Sequence, residues 1–242
     1  MNRFKDAYFQ NIDASGLGLF RMLFGLVLCL QGLEFLRLDF VTKDIVQPIL
    51  HFPFQGFEFL PILSESALTL MVAGLAIAGL FVAAGLFYRF ALGYYFLVFT
   101  YLWLLDKGYF NNHYYLLSIL CGIMLLLDAD RWKPWKKKRN GENVGREWIP
   151  AWQVLALKVM LLIVFSWAGL NKLQSGWLVN HQPIAHIMDV KSQVTGGEWN
   201  GDLLVGFLIY GGALFDLSII PLLWWKKTRF YAMFALIFFN VF

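Results

Sequence analysis

Long apolar runs separated by short polar turns make up most of the chain. A helix needs about 20 apolar residues to cross a hydrocarbon layer, and continuous apolar runs predict helices rather than barrel strands, in which hydrophobic residues alternate. Such runs begin at Gly16, Ala67, Phe90, His113, Trp152 and Leu203, and a seventh begins near Phe230. The pattern predicts an all-α, polytopic transmembrane helical bundle, a single domain over residues 1–242. We expect about six complete spans and a truncated seventh, which a partner or further chain would complete.

Composition and local patterns support this prediction. Hydrophobic residues make up 59% of the 242 positions and charged residues 15%, too few charges to cover a soluble globule. The first run carries Arg21 and lacks a small-residue cleavage site, so we expect it to stay in the mature protein. Cys29 and Cys121 lie inside apolar runs, as small buried side chains do. The spacing of Gly79 and Ala83 favours close packing of helices.

The distribution of positive charge predicts the orientation. Seven lysines and arginines fall between residues 131 and 148, and basic loops of this length stay in the cytoplasm. Alternation of the spans then places the N-terminus on the cytoplasmic side and Lys107, Lys172 and Lys191 on the other side. The loop could also bind anionic lipid, although a topology signal is the simpler interpretation. The net charge of +4 is concentrated in this loop, which argues against nucleic-acid binding. We expect a multi-pass protein of the cell membrane.

One polar turn interrupts the apolar pattern in LLDKGYFNNHYYLL, residues 104–117. The apolar runs on either side, 90–105 and 113–128, hold 16 residues each, which is about 24 Å of helix against a hydrocarbon core of ~30 Å. We therefore expect the turn to be recessed below the lipid headgroups. Irregular backbone at that depth must be surrounded by protein or trapped water, as in a binding site.

A second polar group is predicted on the same side of the membrane, at the end of FSWAGLNKLQSGW. Phe165, Gly169 and Lys172 follow the spacing of one helix face, so the lysine is expected to face the bundle. Lys172 and His113, from separate helices, can then converge on one recessed site. We expect their side chains to approach within roughly 10 Å, so that a small ring could touch both.

Simpler interpretations of these residues stay open at this point. Lys172 could extend to the membrane surface and complement a helix C-terminus. Asn111 and Asn112 could be helix N-caps, and His113 could be a hydrogen-bonded interfacial residue.

Seven segments that occur in order along the chain carry a family resemblance. They are HFPFQGFEFLPIL (51–63), GLFYR (85–89), LLDKGYFNNHYYL (104–116), LDADRW (127–132), IPAW (149–152), AGLNKLQSGW (168–177) and YGGALFDLS (210–218). Together they resemble the membrane domain of the vitamin K-dependent gamma-carboxylase family, within the HTTM-domain superfamily, in the style of its bacterial members. The chain departs from the animal carboxylases at Asn171, where they carry a second lysine, and at Phe110, where they carry tryptophan.

The resemblance implies a reaction driven by a reduced quinone on the non-cytoplasmic face. In the family a lysine deprotonates vitamin K hydroquinone, oxygen gives an epoxide and a strong alkoxide base, and that base activates a peptide glutamate for reaction with carbon dioxide. Lys172 matches the lysine, and His113 matches a histidine assigned to the carbanion step. The implied cofactors are reduced vitamin K or a related hydroquinone, O2 and CO2, with no metal. The implied partners are membrane lipid, a lipid-soluble quinone and a protein or peptide glutamate. The candidate quinone-binding residues are Asn111, Asn112, Asp106, Lys107, Tyr109 and Trp177.

Two functions from different classes fit this sequence. The first is a quinone-dependent, oxygen-using enzyme of the gamma-carboxylase type. A lysine with the reference pKa of ~10.4 is no base near neutrality, so this function needs Lys172 to be desolvated. The second is a membrane lipid- or quinone-binding or transport module that keeps the fold without carboxylation.

Asp216 is an ionisable residue within an apolar run and therefore also a functional candidate. Arg21 and Lys158 lie at a similar expected depth in their own spans. We expect Asp216 to form a structural ion pair with one of them.

Overall fold

The computed structural model describes residues 8–132 and 147–241. The chain divides into two compact units, Met1–Leu155 and Ala156–Phe242. Helices make up most of both units, which confirms the predicted all-α class. The elements are β1 Asn11–Asp13, α1 Ser15–Arg37, a π-helical turn Val41–Val46, α2 Glu65–Ala84, α3 Tyr88–Leu104, a 3-10 turn Lys107–Tyr109, α4 Asn112–Leu125, β2 Trp148–Pro150, α5 Ala151–Asn171, α6 Ser175–Leu178, α7 Ile184–Thr195, α8 Asp202–Trp224 and α9 Arg229–Val241.

Among the described residues, four helices are long and apolar enough to cross a membrane: α1, α2, α5 and α8. The chain is therefore a helical bundle of the membrane type, while the count of six spans stays a prediction. Helices α3 and α4 hold 17 and 14 residues, or about 25 Å and 21 Å, so the polar turn does lie between two short helices. The orientation also stays a prediction, because most of the basic loop, residues 133–146, lies outside the described residues.

Helices α1 and α2 pack with their backbones in close contact. A Cβ on Gly25 would overlap the backbone of Ala83, and a Cβ on Gly79 would overlap the backbone of Cys29. At Gly32 the added atom would lie 2.6 Å from the backbone nitrogen of Ala76. The close packing expected around Gly79 is therefore confirmed, and glycines from both helices contribute to it.

Arg21 is fully buried and binds the end of α2. Its guanidinium donates to the carbonyls of Val82 and Ala83, at 2.6 and 2.7 Å, and to that of Ala129 at 3.1 Å. A cation at a helix C-terminus is favourable because the last carbonyls carry partial negative charge and lack helical donors. Backbone carbonyls thus hold Nε and Nη1 of Arg21, whereas its buried Nη2 has no hydrogen-bond partner among the described residues.

A short antiparallel ribbon joins β1 and β2, with Ile12 opposite Ile149. Backbone hydrogen bonds extend the pairing, from Ala14 N to Glu147 O and from Ala151 N to Gln10 O. The apolar pattern did not predict this ribbon, since three-residue strands are too short to show alternation. It connects the beginning of α1 to the beginning of α5.

In the second unit, α5 packs along α8. The ring of Phe165 meets Phe215 edge-on at 6.3 Å, and a Cβ on Gly169 would lie 2.6 Å from a methyl carbon of Leu217. The predicted face of Phe165, Gly169 and Lys172 is thus confirmed as a contact face. The core of this unit is completed by Ile219, Ile220 and Ala232.

Candidate functional site

Lys172 follows the last residue of α5, and its side chain turns onto α8. The Nζ atom lies 2.7 Å from Oδ2 of Asp216, and the two side chains are 20% and 6% exposed. Lys172 and Asp216 therefore form a direct ion pair in largely apolar surroundings. The interpretation of Lys172 as a lysine that extends to the membrane surface does not describe this side chain, because its charge is held against a buried carboxylate.

Aromatic rings form the walls around this amine. Nζ lies 5.0 Å from the ring centroid of Trp177 and 6.0 Å from that of Phe239, distances at which a cation interacts with an aromatic face. The indole Nε1 of Trp177 donates to the carbonyl of Ile209 at 3.1 Å, which fixes the ring. A Cβ on Gly212 would lie 3.6 Å from Nζ, so this glycine leaves space beside the amine.

The ion pair corrects the prediction for Asp216. Its ion-pair partner is Lys172, in place of the Arg21 or Lys158 that the sequence predicted. Lys158 is exposed. Depth estimates from residue counts could not select the partner, since a lysine side chain reaches several ångströms along a helix axis.

The polar turn in the first unit is built around Asp106, which is 5% exposed. Its Oδ1 accepts from the backbone N–H of Gly108 at 2.7 Å, and its Oδ2 lies 3.4 Å from Nδ1 of His51. The N–H of Lys107 donates to the carbonyl of Phe52 at 2.8 Å. The stretch that begins at His51 therefore packs on the turn, with histidine and aspartate at ion-pair distance.

Sequence reasoning missed His51 as a site residue. The available signal was the predicted topology, which places the loop after the first span and the turn after the third on one side of the membrane. The segment HFPFQGFEFLPIL was recognised only as part of a family resemblance. Its contact with the turn depends on tertiary packing.

Asn111 caps α4. Its Oδ1 accepts from the N–H of His113 at 2.8 Å, so the N-cap interpretation is confirmed for this residue. Asn112 is instead the first residue of the helix, and both Asn112 and His113 are exposed. The cap uses the oxygen of the Asn111 side chain, and its amide NH2 group has no hydrogen-bond partner in the described part of the chain.

Tyr109 and Lys107 are placed on the turn by aromatic contacts. Nζ of Lys107 lies 5.9 Å from the centroid of Phe54, and the ring of Tyr109 packs edge-on against Phe40 at 5.5 Å. Burial raises the pKa of Tyr109 to about 12, and the neighbouring carboxylate of Asp106 adds to the shift. The phenol is neutral at physiological pH, as a tyrosine with the ordinary pKa of ~10 also is, and it can donate a hydrogen bond.

The structure thus brings together two groups of predicted site residues. The first unit contains Asp106, Lys107, Tyr109, Asn111, Asn112 and His113 in one turn. The second contains Lys172 and Trp177, with Asp216 added. The convergence of His113 and Lys172 on one site stays a prediction, because it concerns the placement of one unit against the other.

In a comparison with family models, the model of the HTTM domain matches residues 9–242. No solved structure matches the chain.

Proposed function

Because the chain belongs to the HTTM domain family, we propose that it is the membrane part of an enzyme similar to the vitamin K-dependent gamma-carboxylases. In this proposal it couples oxidation of a reduced quinone by O2 to proton abstraction and carboxylation on the non-cytoplasmic face. The family is associated with carboxylase-like proteins. The substrate of the second step is proposed as a protein or peptide glutamate, with CO2 as the source of the carboxyl group.

The observation that carries this proposal is the enclosure of Lys172. The function needs an amine that water does not keep permanently protonated, and the Lys172 side chain is 20% exposed, against aromatic rings. These residues fit a hydroquinone, because Trp177 and Phe239 offer flat apolar surfaces and the amine offers a polar contact for a hydroxyl group. A hydroquinone supplies acidic O–H groups and two electrons when it is bound there.

Several residues of the chain have proposed roles in this function. Lys172 removes a proton from a phenolic hydroxyl, Trp177 orients the ring, and apolar neighbours exclude water, which strengthens each electrostatic contact. In the polar turn, His113 acts in the carbanion step, within reach of the second substrate. The proposed polar contacts of the quinone and of that substrate are Asp106, Lys107, Tyr109, Asn111 and Asn112.

The test is turnover by purified full-length protein in lipid nanodiscs. We expect it to consume oxygen and to convert reduced vitamin K into its epoxide, because a desolvated amine can generate the reactive phenolate. Oxygen uptake should be absent with oxidised vitamin K, which has no acidic hydroxyl and serves as the control. If the protein binds reduced vitamin K but oxygen uptake does not exceed the rate in empty nanodiscs, the proposed enzymatic activity is contradicted.

A crevice in the first unit favours a second candidate, a lipid- or quinone-binding module. It has a volume of about 420 Å³ and lies between α3 and α4. Its walls include the rings of Phe96, Trp103 and Tyr115, and Ser118 Oγ accepts from Trp103 Nε1 at 3.0 Å. An apolar crevice with a satisfied polar floor suits an isoprenoid or acyl chain. Quinone binding without turnover would support this candidate.

The proposed orientation places the polar turn outside and residues 131–148 in the cytoplasm. A single cysteine placed at residue 108 should react with an impermeant thiol reagent added outside intact cells, whereas one at residue 141 should react only after the membrane is opened. Cys29 and Cys121 are buried, and a chain without added cysteines gives the background. Labelling of both positions in intact cells would contradict this orientation.

A further inference from the structure

We propose that Asp216 is a positioning residue that also holds the proton exchanged by Lys172, so that the two side chains work as one base. This inference rests on the proposed function, in which Lys172 deprotonates a hydroquinone, and it goes beyond it by giving the proton a destination. Neither the position of Asp216 within an apolar run nor the family resemblance assigned this role.

The geometry provides a direct path for the proton. Nζ of Lys172 and Oδ2 of Asp216 are 2.7 Å apart, a normal length for a charge-assisted hydrogen bond. In the described part of the chain, this ion pair is the polar contact that the structure gives the Asp216 side chain. A carboxylate can accept about four hydrogen bonds, and among residues 8–132 and 147–241 the structure gives Asp216 the single partner Lys172.

The carboxylate of this pair is shielded from water. Asp216 is 6% exposed, and removing two opposite charges from water costs several kcal/mol per ion before their attraction is counted. Transfer of one proton from the ammonium to the carboxylate removes both charges at once. The amine is then neutral without any proton having to reach bulk water.

Asp216 is the proton acceptor beside the amine of Lys172. The amine is faced by Trp177 and Phe239, which do not titrate in this range, and by the Cα of Gly212. Tyr210, also on α8, donates its hydroxyl to the carbonyl of Leu178 at 3.2 Å. Among the described residues, Asp216 is thus the titratable group in contact with Lys172.

Protons and charge balance in the proposed step. At rest the ammonium and the carboxylate sum to zero, and a shift of one proton gives the amine and the carboxylic acid, also zero. The amine then takes the proton of a phenolic O–H, which leaves a phenolate of charge −1 beside a pair of charge +1. No electrons are transferred in this step, so it needs no oxidant or reductant. The net positive charge of the pair stabilises the phenolate as it forms.

The variant Asp216→Asn distinguishes this role from that of a passive counter-ion, because the two roles predict opposite changes in the oxidation rate at pH 7. If Asp216 holds the proton, the variant should oxidise reduced vitamin K at pH 7 at least about tenfold more slowly. Its rate should then rise towards alkaline pH, because Lys172 must lose its proton to solvent. If Asp216 only holds the ammonium in place, its removal favours the neutral amine, and the variant should be faster at pH 7. That outcome, or an unchanged pH profile, would overturn the inference.

Two companion variants control for structure. Asp216→Glu keeps an acid that can take up the proton, so it should recover part of the rate and the flat profile of the wild type. Glu34→Gln removes a carboxylate from an exposed ion pair with Arg37 and should leave the profile unchanged. Binding of reduced vitamin K by Asp216→Asn, measured in nanodiscs, shows whether the variant still folds.

A spectroscopic readout keeps this inference distinct from the proposed function. Infrared difference spectra on addition of reduced vitamin K without oxygen should show a new C=O band of a protonated carboxylic acid. The band should be present in the wild type and missing in Asp216→Asn. If the carboxylic acid band appears but the protein does not consume oxygen, the proposed function is contradicted and the proton-holding role of Asp216 is supported. If the wild type consumes oxygen but shows no carboxylic acid band, the proton-holding role of Asp216 is contradicted and the proposed function is supported.

Discussion

Replacing Lys172 by alanine is expected to abolish oxygen-dependent oxidation of reduced vitamin K, a loss of at least about 10²-fold. The reason is that the variant lacks the amine that takes the phenolic proton. An added small amine such as methylamine should restore part of the rate, because the cavity left by the side chain lies beside Trp177 and Asp216. Oxygen consumption in nanodiscs, with and without the amine, is the measurement.

Loss of structure must be separated from loss of chemistry in this experiment. Lys172→Ala leaves the buried Asp216 without its partner, which costs about 3 to 5 kcal/mol. Lys172→Arg keeps a positive charge for Asp216, yet its guanidinium stays protonated in proteins. We expect Lys172→Arg to fold and bind quinone but not to turn over.

Lys191→Ala is the matched control for this series. Lys191 also packs on a tryptophan, with Nζ 3.9 Å from the centroid of Trp199, but it is exposed. Its replacement should leave the oxidation rate unchanged. An active Lys172→Arg protein, or equal losses at Lys172 and Lys191, would contradict the assignment of Lys172 as the base.

The change Gly25→Ala is expected to destabilise the chain by about 3 kcal/mol. The added Cβ would overlap the backbone of Ala83 on α2, and backbone atoms cannot rotate away as a flexible side chain can. The two helices must therefore separate, and they lose the close contacts along the whole seam. Thermal unfolding in detergent measures the effect.

Gly16→Ala on the same helix is the control, and it is expected to change the stability in the opposite direction. Nothing lies within 4 Å of the position that its Cβ would take, and alanine favours a helix over glycine by up to ~1 kcal/mol. This variant should be as stable as the wild type or more so. Equal stability of the two alanine variants would contradict the close packing of α1 on α2.

The sequence by itself determined the helical class and the membrane-type composition. Both follow from the count and order of apolar residues, because a chain surrounded by lipid must satisfy its backbone hydrogen bonds within helices. The short helices around the polar turn were also predictable, since polar residues limit the length of each apolar run. The contact face of Phe165, Gly169 and Lys172 followed from helical spacing alone.

Only the tertiary structure decided which charged groups meet. The sequence pointed to Arg21 or Lys158 as the partner of Asp216, and the structure shows Lys172. Residue counts give the depth of a Cα and not the direction of a long side chain. Arg21 turned instead to the carbonyls at the end of α2. The contact of His51 with Asp106 joins residues that are far apart in the chain. Pairings of this kind depend on the rotation of each helix and the path of each loop, which packing sets and local spacing does not.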